Sequence, residues 1–581
     1  MQINNIPEFI AYLEKNNKNP MLLNDLDKAG HWKSVSAQEM IRQVRGISAA
    51  LRNMGLKKGA KVAIMSPPSS TWTIADLGIM LGGYVCVPIF PNISDDNFKF
   101  EITQSEIEVI FVAKPLGHHL ANLYKDSFRH IVSMESPSFH KHELLFKDLV
   151  EQQSTDPEEP VSSDDLATII YTSGTTNVPK GVELTHGNLT CEFELSLKRV
   201  EWTEQDKMLL FLPLSHIFGR LVNFLMLMAN GSTYYLQDVQ QLIPLSKEVQ
   251  PTTIIFVPRL LEKMYHSIEQ KIEGAAPLKK YFGRWAFNLA KKEKFSWFDR
   301  LLFPLADTFF YSRIRELLGG KVTLGMIGSA KTDPTILYFF ENVGVPMVEG
   351  YGLTEACPIT SNAIKEAKLG TMGVPMDNLE VKIDSSGELL VKGPVVMRGY
   401  HKNPEMTKQI FDQEGWLRTG DICMKDEKGF YTFIGRASEL CKTSYGEFID
   451  LAQLESALRG LPFVDCAVVL AENRPFATAL LFPNIEEVNR IKERLGMSEM
   501  SNNEVLQLEF VRKEFDRALE KLNARLNEWE RIKGYRFVTN AATVEGGELS
   551  PTYKMRRKYT HDKYKSLIQE MYPANTMVFD L

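Results

Sequence analysis

A chain of 581 residues is too long for one hydrophobic core, so two or more domains are expected. Hydrophobic residues make up 44% and charged residues 24%, the balance of a globular enzyme and not of a disordered or fibrous chain. The net charge of −6 argues against a general nucleic-acid binder, which carries a basic excess, and no apolar run reaches the ~20 residues of a membrane-crossing helix.

The N-terminus, MQINNIPEFIAYLEKN, lacks the basic and apolar regions of a signal peptide. Six cysteines (Cys86, Cys191, Cys357, Cys423, Cys441 and Cys466) are scattered without a CxxC pair. They read as reduced thiols of a cytoplasmic protein, and not as a disulfide framework or a zinc site. The spacing of Met40, Ile41, Val44, Ile47 and Leu51 predicts a helix over 36–54, capped by Ser36 and stopped by Gly55. Residues 61–65 read as a buried strand, 75–81 as a helix, and 84–89 and 109–113 as strands. Such alternation implies βαβ units and a mainly parallel sheet.

A polar linker, 152–164, leads to a buried strand at 166–170 and then to YTSGTTNVPKGVEL from Tyr171. Thr172, Ser173, Gly174, Thr175 and Thr176 crowd together, and Lys180 follows. Free backbone N–H groups and hydroxyls in such a loop wrap an anion, and one lysine neutralises it; phosphate is the natural guest. The ordinary P-loop has its lysine directly after glycine, and here the order is reversed. Taken alone, the stretch also fits a polar turn between two strands.

Strands at 208–212 and 252–257 follow, the first running into His216, which either lines a pocket or is a satisfied structural histidine. Residues 271–300 carry eight Lys/Arg against three acids. Leu278, Tyr281, Phe282, Trp285 and Leu289 fall at one helical spacing, and Phe295, Trp297, Phe298, Leu301, Leu302 and Phe303 come next. This segment reads either as a contact for an anionic membrane surface or as a solvated helix packed on its domain. A strand at 322–327 ends in Gly328-Ser329-Ala330, small residues that let a flat ring approach the backbone. In Glu349-Gly350-Tyr351-Gly352-Leu353-Thr354-Glu355, Tyr351 suits stacking on a purine, Thr354 a phosphate oxygen, and Glu355 a Mg²⁺ ion. Cys357, close by, reads as a bystander.

From Gly370 short strands (380–383, 388–391, 430–434) mark a β-rich subdomain. Within it Arg418-Thr419-Gly420-Asp421 reads as a tight turn whose carboxylate accepts both protons of a ribose diol. Gly435-Arg436-Ala437-Ser438-Glu439 reads as a junction. The remainder has composition for a small domain, with strands at 466–470 and 477–482 and a long helix with Leu508, Val511, Phe515, Leu519, Leu522 and Leu526 on one stripe. Near the chain end Lys554 follows Ser550-Pro551-Thr552-Tyr553, either presented to an active site or part of a basic surface tail.

With the loop, EGYGLTE, RTGD, the Gly435-Arg436 pair and the terminal lysine in this order, the chain resembles the AMP-forming adenylating superfamily over nearly its whole length. That group includes acyl-CoA synthetases, luciferases and peptide-synthetase adenylation domains. The chain is most similar to the bacterial long-chain fatty acyl-CoA synthetases, by the basic insert before SRIRELLGG, by GWLRTGD…GFYTFIGRASEL, and by ELSPTYKMRRKYT. The resemblance implies a multi-domain α/β fold. A large domain, 1–435, of α/β layers with a β-rich subdomain would precede a small mobile α+β domain, 436–581, carrying the catalytic lysine.

It further implies ATP, Mg²⁺ and CoA as cofactor and co-substrates. Thr172, Ser173, Gly174, Thr175, Thr176 and Lys180 would hold the ATP phosphates, His216 would line the carboxylate site, and Ser329, Ala330, Glu349, Gly350 and Tyr351 would enclose adenine. Thr354 and Glu355 would serve phosphate and metal, Asp421 and Arg436 the ribose, and Lys554 would be the catalytic lysine. The implied product is a fatty acyl-CoA made through acyl-AMP, in the cytoplasm or at the inner face of the membrane. Transfer to an acyl carrier protein, or a non-catalytic lipid- or nucleotide-binding role, are the alternatives. Two places depart from the family wording: Ala437-Ser438 at the junction, where Asp or Lys is usual, and Lys331-Thr332 for the usual Pro-Leu.

Overall fold

The structure, a computed structural model, describes residues 3–135, 140–155, 159–173, 179–437, 440–443, 448–472, 474–496, 498–550 and 555–572. Gly174, Thr175 and Thr176 of the expected phosphate loop, Ser438 and Glu439 of the junction, and Lys554 lie outside these residues, as does the side chain of Ser173. The fold is multi-domain α/β. One compact unit takes in nearly all of the described chain up to Phe433, and a second runs from Ile434 onward with Gly420–Ile422 added to it.

The larger unit alternates strand and helix, as the apolar runs predict. In order come β1 (Lys61–Met65), α1 (Ser70–Leu81), β2 (Val85–Ile89), β3 (Ile107–Val112), β4 (Leu166–Ser173), β5 (Pro179–Thr185), β6 (Lys207–Leu210), α2 (Ile217–Met228), β7 (Ser232–Tyr235) and β8 (Thr253–Phe256). Then follow α3 (Pro277–Ala290), α4 (Trp297–Ala306), β9 (Leu324–Ile327), β10 (Met347–Leu353), β11 (Ala356–Ser361) and β12 (Gly399–Tyr400). An eight-stranded sheet has the order β12-β5-β4-β2-β1-β3, continued by His130–Ser133 and Leu144–Leu145. A nine-stranded sheet runs from Val374–Pro375 through β11-β10-β9-β8-β6-β7 to Leu23–Leu26 and Trp32–Val35.

The pairs among β1, β2 and β3, and those from β7 through β6, β8 and β9 to β10, are parallel. The strand order reverses at β1 in one sheet and at β6 in the other. β1 lies between β2 and β3, and β6 lies between β7 and β8. Such reversals open a crevice at the carboxyl ends of the strands.

Helix starts follow their caps. Ser36 accepts the Glu39 N–H ahead of the helix Ala37–Asn53, as the sequence predicts. Helix α1 begins at Ser70, earlier than the expected residue 75, because the Ser69 side chain accepts the Trp72 N–H. Every residue of α1 but Thr71 is buried, which erased the one-sided periodicity that marks a surface helix.

A buried charged side chain ties α2 to α1 and to β4. Arg220 on α2 and Asp76 on α1 are both fully buried. Arg220 Nε donates to Asp76 Oδ2 at 2.8 Å, a second guanidinium nitrogen donates to Asp76 Oδ1, and the third donates to Thr168 Oγ1 on β4 at 2.8 Å. The Thr168 hydroxyl in turn donates to the Cys86 carbonyl at 2.8 Å. Burial opposes the charge on Arg220, but the Asp76 carboxylate beside it more than offsets this, so the guanidinium is held charged.

Two expectations need correction. The basic segment is not one helix with one face. Helix α3 buries Leu289 while Leu278 and Tyr281 are 88% and 79% exposed, and α4 follows separately with Trp297 77% exposed. Thr419-Gly420-Asp421 is not a tight turn; it runs inside the strand Leu417–Lys425, where Gly420 takes a φ of +71°. That strand belongs to a four-stranded sheet with Glu380–Ile383, Glu388–Lys392 and Tyr431–Arg436.

The smaller unit is α+β. Its strands Val464–Leu470 and Ala477–Pro483 pair antiparallel, Ile532–Phe537 adds in parallel, and the helix Glu509–Asn523 packs Val511, Phe515 and Leu519 into their core.

Candidate active site

The chain leaving β6 at the second reversal turns through Pro213 and reaches His216, the N-cap of α2, whose Nδ1 accepts the Phe218 N–H at 3.2 Å. The end of β9 comes to the same place. A Cβ on Gly328 would stand 3.1 Å from the Phe218 ring, so glycine lets the strand end approach the first turn of α2 without displacing that ring. Ser329 then takes a φ of +74°, a strained conformation for a side-chain-bearing residue, and Ser329 and Ala330 are exposed. A cavity of about 200 Å³, lined by Asp25, Ser66, Ser69 and Lys114 among others, lies instead at the first reversal. None of the sequence-predicted residues lines it.

Glu349, Gly350 and Tyr351 occupy β10, which folds back antiparallel on β11 with Gly350 opposite Ser361 and Tyr351 opposite Thr360. Leu353 pairs with Ala356, so Thr354 and Glu355 form the two-residue tip of this hairpin. A side chain on Gly352 would meet the Ala356 carbonyl at 3.1 Å and the Cys357 backbone at 3.2 Å, which explains the second glycine of the motif. Glu349 accepts the Gly370 N–H at 2.7 Å. Burial pushes its carboxyl up to about 8, so it holds its proton at neutral pH and can donate a hydrogen bond. Burial also pushes the Cys357 thiol well above its usual value, which leaves no thiolate there to act as nucleophile.

In hairpin β4–β5 Thr172 stands opposite Lys180. Gly181 is needed for the close packing: a Cβ there would lie 2.9 Å from Ile169 and 3.2 Å from both His401 and the Tyr171 ring. Lys180 and Glu355 are brought together by a segment that the sequence did not single out. The Met397 N–H donates to the Glu355 carbonyl at 2.8 Å, and Val396 bridges Ala356. Three residues on, β12 pairs with β5, placing Gly399 opposite Glu183 and Tyr400 opposite Val182. The His401 N–H donates to the Gly181 carbonyl at 2.7 Å, and its Nδ1 lies 2.7 Å from Glu183 Oε1. Tyr400 Oη donates to Glu355 Oε1 at 2.7 Å, and Lys180 Nζ sits 5.5 Å from the centroid of the Tyr400 ring. Gly399-Tyr400-His401 has no periodicity, and its partners are distant in the chain, so no local signal marked it.

Among the described residues no three His, Cys, Asp or Glu side chains gather into a cage for a metal ion. Glu355, next to the buried Thr354, fits the other habit of Mg²⁺: one carboxylate, with phosphate oxygens and water completing the shell.

In the smaller unit Asp421 and Arg436 are placed together. Asp421 is 1% exposed, and its Oδ1 lies 3.2 Å from Arg436 Nε.

Comparison with known proteins adds to this geometry. The AMP-binding enzyme family matches residues 11–401, and the AMP-binding enzyme C-terminal domain matches 440–576. The chain is 29% identical to the long-chain-fatty-acid–CoA ligase FadD15 of Mycobacterium bovis, covering 94% of this chain and 93% of that one. It is 29% identical to long chain acyl-CoA synthetase 3 of Arabidopsis thaliana, covering 98% and 92%. Among solved structures, the A domain of carboxylic acid reductase from Segniliparus rugosus, in complex with AMP and a co-purified carboxylic acid, superposes with a TM-score of 0.77 at 22% identity, over 98% of this chain and 94% of that one.

Proposed function

The chain belongs to the AMP-binding enzyme family, and from that premise we propose that it activates a long-chain fatty acid with ATP and passes the acyl group to CoA. The main support is the match, over more than nine-tenths of both chains, to a relative named as a ligase of long-chain fatty acids and CoA.

A carboxylate does not acylate a thiol, because its leaving group would be oxide. In the first step a carboxylate oxygen bonds to the α-phosphorus of ATP, the α–β phosphoanhydride bond breaks, and pyrophosphate leaves. In the second the CoA sulfur bonds to the acyl carbon, the bond to AMP breaks, and the thiol proton goes to solvent. In this reading Lys180 and the hydroxyls of residues 172–176 hold the phosphates. Thr354 bonds a phosphate oxygen and Glu355 would hold Mg²⁺, which when bound would spread the charge of the phosphate oxygens. Ser329, Ala330, Glu349, Gly350 and Tyr351 enclose adenine, Asp421 and Arg436 serve the ribose, and His216 lines the carboxylate site. Lys554 supplies positive charge where negative charge builds in the transition state.

The purified protein should exchange labelled pyrophosphate into ATP only when a fatty acid and Mg²⁺ are present, and should form acyl-CoA when CoA is added. A panel of straight-chain acids that yields no exchange would refute the first step. Exchange without any acyl-CoA would refute CoA as acceptor.

Helices α3 and α4 fit peripheral contact with an anionic lipid surface. Leu278, Tyr281, Trp297, Phe298, Leu301, Leu305 and Phe309 are all exposed within a short stretch of chain, more apolar surface than a solvated helix pair presents. Lys280 and Arg284 are engaged by Glu273, and Lys292 by Asp299, so the cations offered to lipid are chiefly Lys279, Lys294 and Arg300. The protein should sediment with vesicles containing phosphatidylglycerol, less so in high salt, and not with pure phosphatidylcholine. Trp297→Ser with Leu301→Ser should abolish sedimentation, since both side chains are surface-exposed and their loss leaves the core intact. Wild-type protein that stays in the supernatant with anionic vesicles at low salt would end this idea.

A further inference from the structure

We infer that Tyr400 is a positioning residue that keeps two opposite charges of the nucleotide site apart and available. The inference rests on the roles proposed above for Lys180 and Glu355. It begins from a geometric problem. A lysine meant for phosphates and a carboxylate meant for a metal ion are brought close by the same segment of chain. A direct pairing of the two would cancel both charges. Among the described residues no ion pair within 4 Å joins Lys180 to Glu355.

Tyr400 is placed to prevent that pairing. It is 6% exposed, and its backbone is fixed twice, by the pairing of β12 with β5 and by its N–H, which donates to Thr407 Oγ1 at 2.9 Å. Its hydroxyl donates to one oxygen of Glu355 and leaves the second oxygen for a cation. Its ring gives the Lys180 ammonium a partner that carries no charge to be displaced when phosphate arrives. Gly399 makes the placement feasible: with φ +155° and a Cβ position only 2.9 Å from the Thr407 side chain, a larger residue would push β12 off its partner.

The test separates the hydroxyl from the ring. Tyr400→Phe keeps the ring over Lys180 and removes the bond to Glu355; Tyr400→Leu removes both. Mn²⁺ binding in the presence of ATP is read by electron paramagnetic resonance, and ATP binding in EDTA by calorimetry. Tyr400→Phe should weaken Mn²⁺ binding roughly tenfold, the scale of losing a hydrogen-bond partner of a metal ligand, while ATP binding in EDTA stays within about twofold. Tyr400→Leu should weaken both. The phenylalanine variant is close to isosteric and decides the matter even if the leucine variant does not fold. Wild-type Mn²⁺ affinity in folded Tyr400→Phe would overturn the inference. Wild-type protein that binds no ATP at all would instead overturn the proposed site, so the two failures are distinguishable.

Discussion

Replacing Lys554 by alanine should slow fatty-acid-dependent pyrophosphate release by about 10²–10³-fold, the range seen when one charge-stabilising group of a transition state is removed. The pentavalent α-phosphorus carries more negative charge on its oxygens than the ground state does, so a cation there favours the transition state over bound ATP. The loss should therefore fall on kcat and leave ATP binding nearly unchanged. The described chain on both sides of this lysine is held without it. Leu549 bridges Met555, the Arg556 N–H donates to the Glu548 carbonyl at 2.8 Å, and the Glu548 side chain is engaged by Lys563 at 2.6 Å and Tyr564 at 2.9 Å. A thermal melt of Lys554→Ala should match wild type, which separates a chemical effect from a folding one. Unchanged turnover in that variant would remove the role assigned to this lysine.

The second large effect is on stability. Arg220→Met should lower the unfolding free energy by about 3–5 kcal/mol, because it strands the Asp76 carboxylate in a fully buried site. Denaturant titration reads this directly as a shift of midpoint with little change of slope. Adding Asp76→Leu should restore most of the loss, since a buried ion pair is seldom worth more than well-packed apolar side chains of similar volume. A double variant as unstable as the single one would mean that Arg220 acts through Thr168 and the strand β4 behind it, and not mainly through Asp76.

The parts of this molecule legible in the sequence are those fixed by neighbours along the chain. The run Lys61–Met65 is apolar after its lysine because Val62–Met65 is covered on both faces, and it is readable as a buried strand for that reason. Ser36 marked its helix by a local bond. The carboxyl ends of the strands showed their character in small and polar residues, His216 after β6 and Gly328-Ser329-Ala330 after β9. What the sequence could not convey depends on partners far away. Nothing local to Arg220 points to Asp76, 144 residues away. Asp421 reads as a turn residue until a nine-residue strand runs through it. Leu289 and Tyr281 share a helical spacing, and only the packing of α3 decides that one is buried and the other is not. Tyr400 was missed for the same reason, although it touches both Lys180 and Glu355.

The pairing of β12 with β5 also bears on how the chain is made. His401 meets Glu183 across 218 residues. A chain growing from its N-terminus folds its early strands long before that partner is synthesised. Through that interval β5 is a bare sheet edge, with a row of N–H and C=O groups open to any passing strand. A two-residue strand is enough to cap it, and it comes late. Fragments that stop short of residue 399 should accordingly be prone to aggregate even though most of the larger unit's strands are already present.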